Sequence, residues 1–123
     1  MTAASLLVGG KIYSQTDLDA ASEPDLHPAV AEFFEQLPAA QREPFAGYCA
    51  ESALISDQLW GLDQERASGG TTTLDDATEH FSGSAMVSRK VRPEGDPEHG
   101  RHAKPCRSCA ALLKRLGVEV VEG

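Results

Sequence analysis

Residues 85–121 read AMVSRKVRPEGDPEHGRHAKPCRSCAALLKRLGVEVV, and the order of elements in this stretch decides the fold class. Ala85, Val87, Arg89 and Val91 alternate with Met86, Ser88 and Lys90, the period-two pattern of a strand with one partly polar face. From Pro93 to Pro105 the chain carries Gly95, Pro97 and Gly100 and reads as a loop. A helix is expected over residues 106–116, stopped by Gly117, which suits the left-handed position past a helix C-terminus. Val118-Glu119-Val120-Val121 then reads as a closing strand. A strand–helix–strand unit implies parallel pairing and a right-handed crossover. Helices on a mixed sheet make the class α/β.

Upstream, a helix is expected to start near Tyr48–Cys49, run to Trp60 and stop at Gly61. Its apolar residues Ala50, Ala53, Leu54, Ile55, Leu59 and Trp60 lie on more than one side, so it is expected to be buried. Residues 61–83 are rich in Gly, Thr, Ser and Asp and read as a long loop with a short helix over 74–81. Another helix is expected over 28–37. Pro28 suits its first turn, where a missing N–H has no intrahelical partner to lose. Ala29, Val30, Phe33, Phe34 and Leu37 follow at helical spacing. At the start of the chain, Gly9-Gly10 separates Leu6-Leu7-Val8 from Lys11-Ile12-Tyr13, a hairpin signal. The expected organisation is one domain over 1–123, with N-terminal strands and a loop over 1–26 and a core over 27–121.

The chain has 123 residues and a mass of 13.1 kDa, enough for one domain with a real core. With 41% apolar and 24% charged residues, disorder and fibrous repeats are excluded. No apolar run approaches the ~18 residues that a membrane span needs, and residues 1–5 lack the positive charge of a secretory leader. A soluble, cytoplasmic protein with no membrane partner is expected from the sequence as written. The net charge of −8 disfavours non-specific nucleic-acid binding. The charge is uneven: residues 1–88 carry −11 and residues 89–123 carry +3. The last third is a basic region on an acidic protein.

Three cysteines are too few and too odd in number for a disulfide framework. Cys106 and Cys109 form a Cys-x-x-Cys preceded by Pro105, and Cys49-Ala50-Glu51 stands at the expected start of the buried helix. Both motifs fall at helix N-termini, whose partial positive charge favours thiolates. Zinc takes four ligands, and a catalytic site keeps one position for water. Three thiolates at Cys49, Cys106 and Cys109 would fill the other three. Glu51, two residues past the first ligand, is then placed for acid/base work. A competing set, His99, His102, Cys106 and Cys109, has the spacing of a closed structural zinc site and would leave Cys49 and Glu51 without a role.

A first ligand, one residue, a Glu and a downstream Pro-Cys-x-x-Cys are the signature of the zinc deaminases, and the two motifs resemble the cytidine deaminase-like superfamily. Gly47-Tyr48-Cys49-Ala50-Glu51, the helix beginning at His27-Pro28 and the short C-terminal tail resemble the YwqJ-related deaminases of bacterial polymorphic toxin systems. This resemblance, over residues 27–121, implies a three-layer cytidine deaminase-like fold with the zinc site at two helix N-termini. It also implies one zinc per chain, a hydrolase acting on C–N bonds of cyclic amidines, and a cytosine-type nucleobase in a nucleotide or in single- or double-stranded nucleic acid. An exported effector domain and a cognate immunity protein follow from the toxin type. The implied site has Glu51 as catalytic residue and Cys49, Cys106 and Cys109 as ligands. Tyr48, Arg89, Arg92, His102 and Lys104 are the substrate-contact candidates. Asn is absent from the chain, so the Asn that many relatives use to hold sugar hydroxyls has no counterpart. The alternative of another class is a non-enzymatic structural-zinc module or an inactive toxin fragment.

Overall fold

The computed structural model describes residues 2–16, 26–41, 49–65, 71–91, 93–103 and 107–121. Strands β1 (Thr2–Val8) and β2 (Lys11–Thr16) form an antiparallel hairpin in which Val8 pairs with Lys11. Gly9 and Gly10 between them have φ of 59° and 79°. A two-residue turn that matches strand twist needs both values positive, which glycine adopts without strain. Strand β3 (Ala85–Lys90) pairs antiparallel with the other edge of β1, and β4 (Glu119–Val120) pairs parallel with β3. The sheet order is β2-β1-β3-β4, so the first strand is interior to the sheet.

Helix α1 spans Pro28–Gln36, α2 spans Ala50–Glu65, α3 is the single turn Leu74–Ala77, and α4 spans Arg107–Leu116. A 3-10 turn at Ala39–Gln41 follows α1. The expected parallel strand–helix–strand unit is β3, α4 and β4. Gly117 (φ 76°) closes α4: its N–H bonds the Lys114 carbonyl, and the Val118 N–H bonds that of Leu113. This pair of bonds satisfies carbonyls that a helix end otherwise leaves unpaired. Leu37 stands extended before Pro38 and ends α1 one residue early, because the proline ring crowds a helical neighbour.

Helix α2 does not stop at Gly61. It continues to Glu65 because its last turn is held from outside. Leu62 packs against the core, and the Asp63 carboxylate accepts the Thr72 N–H (2.6 Å) and pairs with His27 Nε2 (2.7 Å). Those contacts outweigh the roughly 1 kcal/mol that a glycine costs inside a helix. The helix expected over 74–81 is shorter, with turns from Thr78 to Gly83.

The core forms on one face of the sheet. Ala4, Leu6, Val8 and Met86 point into it and meet Val30, Phe34, Leu54, Ile55, Leu59, Leu112, Leu113 and Leu116. The described helices make one layer over that face. The opposite face carries Leu7 and Ile12, 43% and 72% exposed, beside a shallow groove of about 250 Å³ that Val87, Arg89 and Val121 also line. Among the described residues no helix is long and apolar enough to cross a membrane.

Candidate active site

Cys49 stands immediately before α2. Its carbonyl accepts the Ala53 N–H (3.2 Å) and the Ser52 hydroxyl (2.9 Å), which fixes the entry of the chain into the helix. Glu51 is the second residue of α2 and Cys109 the third of α4. Helix α4 begins where the chain returns from the loop after β3, so the two N-termini converge beside that strand's carboxyl end. Crevices at strand carboxyl ends are where open α/β sheets bind ligands.

The two Sγ atoms and a Glu51 carboxylate oxygen all lie within 4.8 Å of one another, and all three residues are buried. Cys49 and Cys109 form no disulfide among the described residues. Ligands at the zinc–sulfur distance of about 2.3 Å in a tetrahedron sit about 3.8 Å apart, within that spread. Ionised thiolates and a carboxylate so close together repel and lose hydration; a divalent cation removes both penalties. Soft sulfur donors favour zinc over magnesium or calcium. The donor set therefore fits zinc.

Ser88, on the inward face of β3 and 2% exposed, donates its hydroxyl to Glu51 Oε1 at 2.9 Å. Its backbone is held on both sides: Ser88 pairs with Ala4 of β1, and its carbonyl accepts the Ala103 N–H at 2.9 Å. In the sequence Ser88 reads only as part of the strand's alternation. The available signal was a polar residue on the same strand face as Met86, since a buried hydroxyl calls for a hydrogen-bond partner.

The structure thus brings together Cys49, Glu51 and Cys109 and adds Ser88. Tyr48, Arg92, Lys104 and Cys106 lie outside the described residues. Arg89 and His102 are brought to each other, as partners of an isolated antiparallel bridge, and not to the cluster. Alternation along β3 turns Ser88 inward, so Arg89 faces the open side of the sheet with Val87, and directly opposed residues share a face. The ring nitrogens of His102 are enclosed with no hydrogen-bond partner among the described residues. Neither His99 nor His102 belongs to the cluster around Cys109. In the basic stretch, Lys90 pairs with Glu98 at 2.8 Å and holds that carboxyl below the usual range.

A mixed sheet with helices, and cysteine and glutamate donors meeting on the first turns of two of them, is the arrangement of a deaminase of the cytidine deaminase-like class. The family model for YwqJ-like deaminases matches residues 1–118, the N-terminal hairpin included, and the chain belongs to that family. No curated protein and no solved structure matches it.

Proposed function

We propose that the protein is a zinc-dependent hydrolytic deaminase of the toxin type that acts on a nucleobase, with cytosine favoured. The observation that carries this reading is the buried Cys49–Glu51–Cys109 cluster at two helix N-termini. Cys49 and Cys109 hold the zinc, with Cys106 as the third ligand by its spacing. Zinc, when bound there, supplies the Lewis acidity that makes water a nucleophile near neutral pH.

The chain's own residues do the rest. The N-terminal partial charges of α2 and α4 favour Cys49 and Cys109 as thiolates. The Glu51 carboxylate accepts a proton from the attacking water and passes it to the ring nitrogen, then takes the proton of the added hydroxyl and passes it to the departing amine. Water adds at the amine-bearing carbon, the C–N bond breaks, ammonia leaves, and a carbonyl remains. Burial of Glu51, 3% exposed, keeps bulk solvent from competing for those protons.

On the substrate side, the absence of Asn removes the Asn type of sugar recognition, and the proposed contacts are to the base and to phosphates. Arg92, Arg101 and Lys104, in the run leading to Pro105, are the proposed phosphate contacts, and Tyr48 the proposed base contact. Arg89 joins them only for a strand long enough to pass the sheet edge, and His102, whose ring nitrogens are enclosed, is not among the contacts. The test is a mass-spectrometric screen of the zinc-loaded protein on free bases, nucleosides, and single- and double-stranded DNA and RNA. The expected result is a product heavier by about 1 Da, as when an exocyclic amine becomes a carbonyl. No such product from any substrate overturns the reading.

A further inference from the structure

We propose that Ser88 is a positioning residue for Glu51, whose hydroxyl holds the carboxylate as an acid/base and keeps it from becoming a metal ligand. The inference rests on the deaminase reading above and concerns a side chain which that reading does not use.

The geometry poses a choice. A Glu51 oxygen lies within 4.8 Å of both sulfurs, close enough for a flexible carboxylate to take a coordination position itself. Four protein ligands make a closed, structural zinc site, whereas catalysis needs an open position. Something must hold the carboxylate back. Ser88 Oγ reaches Glu51 Oε1 at 2.9 Å, with both residues buried. The Ser88 hydroxyl is the donor, the one direction open to it when the carboxylate is ionised and only accepts. A hydrogen bond to an ionised group is about twice as strong as a neutral one. Ser88 also has little freedom to follow a moving carboxylate. Its strand is paired on one side by β1 and on the other by the Ala103 N–H. The fixed sheet therefore sets where Oε1 sits, and the first turn of α2 sets where the Glu51 backbone sits.

The test uses cobalt(II) in place of zinc in the full chain, because its visible spectrum reports the number and kind of ligands. The proteins compared are the wild type, Ser88→Ala, Ser88→Thr and Glu51→Gln. Ser88→Ala is expected to bind one cobalt per chain, more tightly than wild type in chelator competition, with a spectrum changed by carboxylate ligation. With zinc, its kcat should fall about 10–100-fold, the usual range for loss of an outer-shell partner, while KM stays within about threefold. Ser88→Thr keeps the hydroxyl and should restore both spectrum and kcat. The double variant Ser88→Ala/Glu51→Gln should lose the spectral change. If Ser88→Ala does not fold, Ser88→Val, isosteric with Ser88→Thr but without its hydroxyl, is read in the same way. A wild-type spectrum and kcat in the Ser88 variant, with Glu51→Gln inactive, overturns the role of Ser88 alone. Normal turnover in Glu51→Gln, or a wild type that takes no metal, overturns the deaminase reading and this inference together.

Discussion

The two ends of α2 each carry a buried polar group built around a helix start, and the groups differ in how their charges are met. At the C-terminal end, His27 is fully buried and every polar atom of its ring is matched. Nδ1 accepts the Ala29 N–H (3.1 Å) and caps α1, and Nε2 meets Asp63 at 2.7 Å, which leaves Nε2 as the donor. The ring also lies 4.8 Å from that of Trp60, and Asp63 accepts the Thr72 N–H as well. This is a balanced knot that ties α1, α2 and the approach to α3 together. At the N-terminal end, two thiols and a carboxylate converge, all groups that become negative. Balanced burial is how a fold holds itself together; a buried cluster of groups that all become negative is one that could hold a cation. Glu51 and Asp63 lie twelve residues apart, about 18 Å along the helix, so changes at the two ends should act independently.

Glu51→Gln should break the contrast most sharply. It should leave fold and zinc intact but lower turnover by at least the roughly 10²–10⁴-fold typical of one general acid/base. Steady-state rates beside elemental analysis of the same preparation check this, and near-normal turnover removes the mechanism.

The other end should respond in the opposite way. Asp63→Ala leaves a buried imidazole without its partner and should cost about 2 kcal/mol of stability. Zinc content should not change. Urea denaturation of metal-loaded protein measures the first and elemental analysis the second; loss of zinc would mean that the two ends are coupled.

A finer effect concerns acid. Burial raises the Asp63 carboxyl, but Thr72 and then His27 more than offset this, so it lies below its ordinary value of 3.8. A carboxyl depressed in the folded state adds stability above its unfolded value, and that contribution is lost as pH falls through the folded value. The stability gap between wild type and Asp63→Asn should therefore be constant near neutral pH and shrink below pH 3.8. A gap that widens on acidification contradicts the assignment.

The smallest expected effect is at Arg89. On a free nucleoside, Arg89→Ala should leave kcat/KM unchanged from low to physiological salt. On an oligonucleotide, every phosphate that the variant no longer neutralises should lower the logarithmic salt slope by about 0.7–0.9. Salt-insensitive wild-type activity on both would make the basic run an ordinary solvated face.

Local signals carried much of this structure. Gly9-Gly10 announces the hairpin, alternation over Ala85–Lys90 announces β3, and Gly117 announces the end of α4. Cys49, Glu51 and Cys109 were legible because metal chemistry restricts both residue types and spacing. What was not legible depends on distant partners. Gly61 reads as a stop, and only His27 and Thr72, far along the chain, explain why α2 continues past it. Ser88 reads as an ordinary strand serine until α2 is laid over β3. Arg89 reads as a substrate contact, but once Ser88 must face inward its neighbour must face outward.

Whether the cluster at the start of α2 holds a metal is the central question, and zinc stoichiometry measured on purified protein and its single variants tests it most directly. One zinc per chain in the wild type is predicted, lost in Cys49→Ala and in Cys109→Ala and kept in His99→Ala and His102→Ala. Because metal binding is coupled to folding, the two cysteine variants should also melt at lower temperature. Full zinc in Cys49→Ala, with loss in either histidine variant, would contradict this assignment and place the metal in a closed structural site.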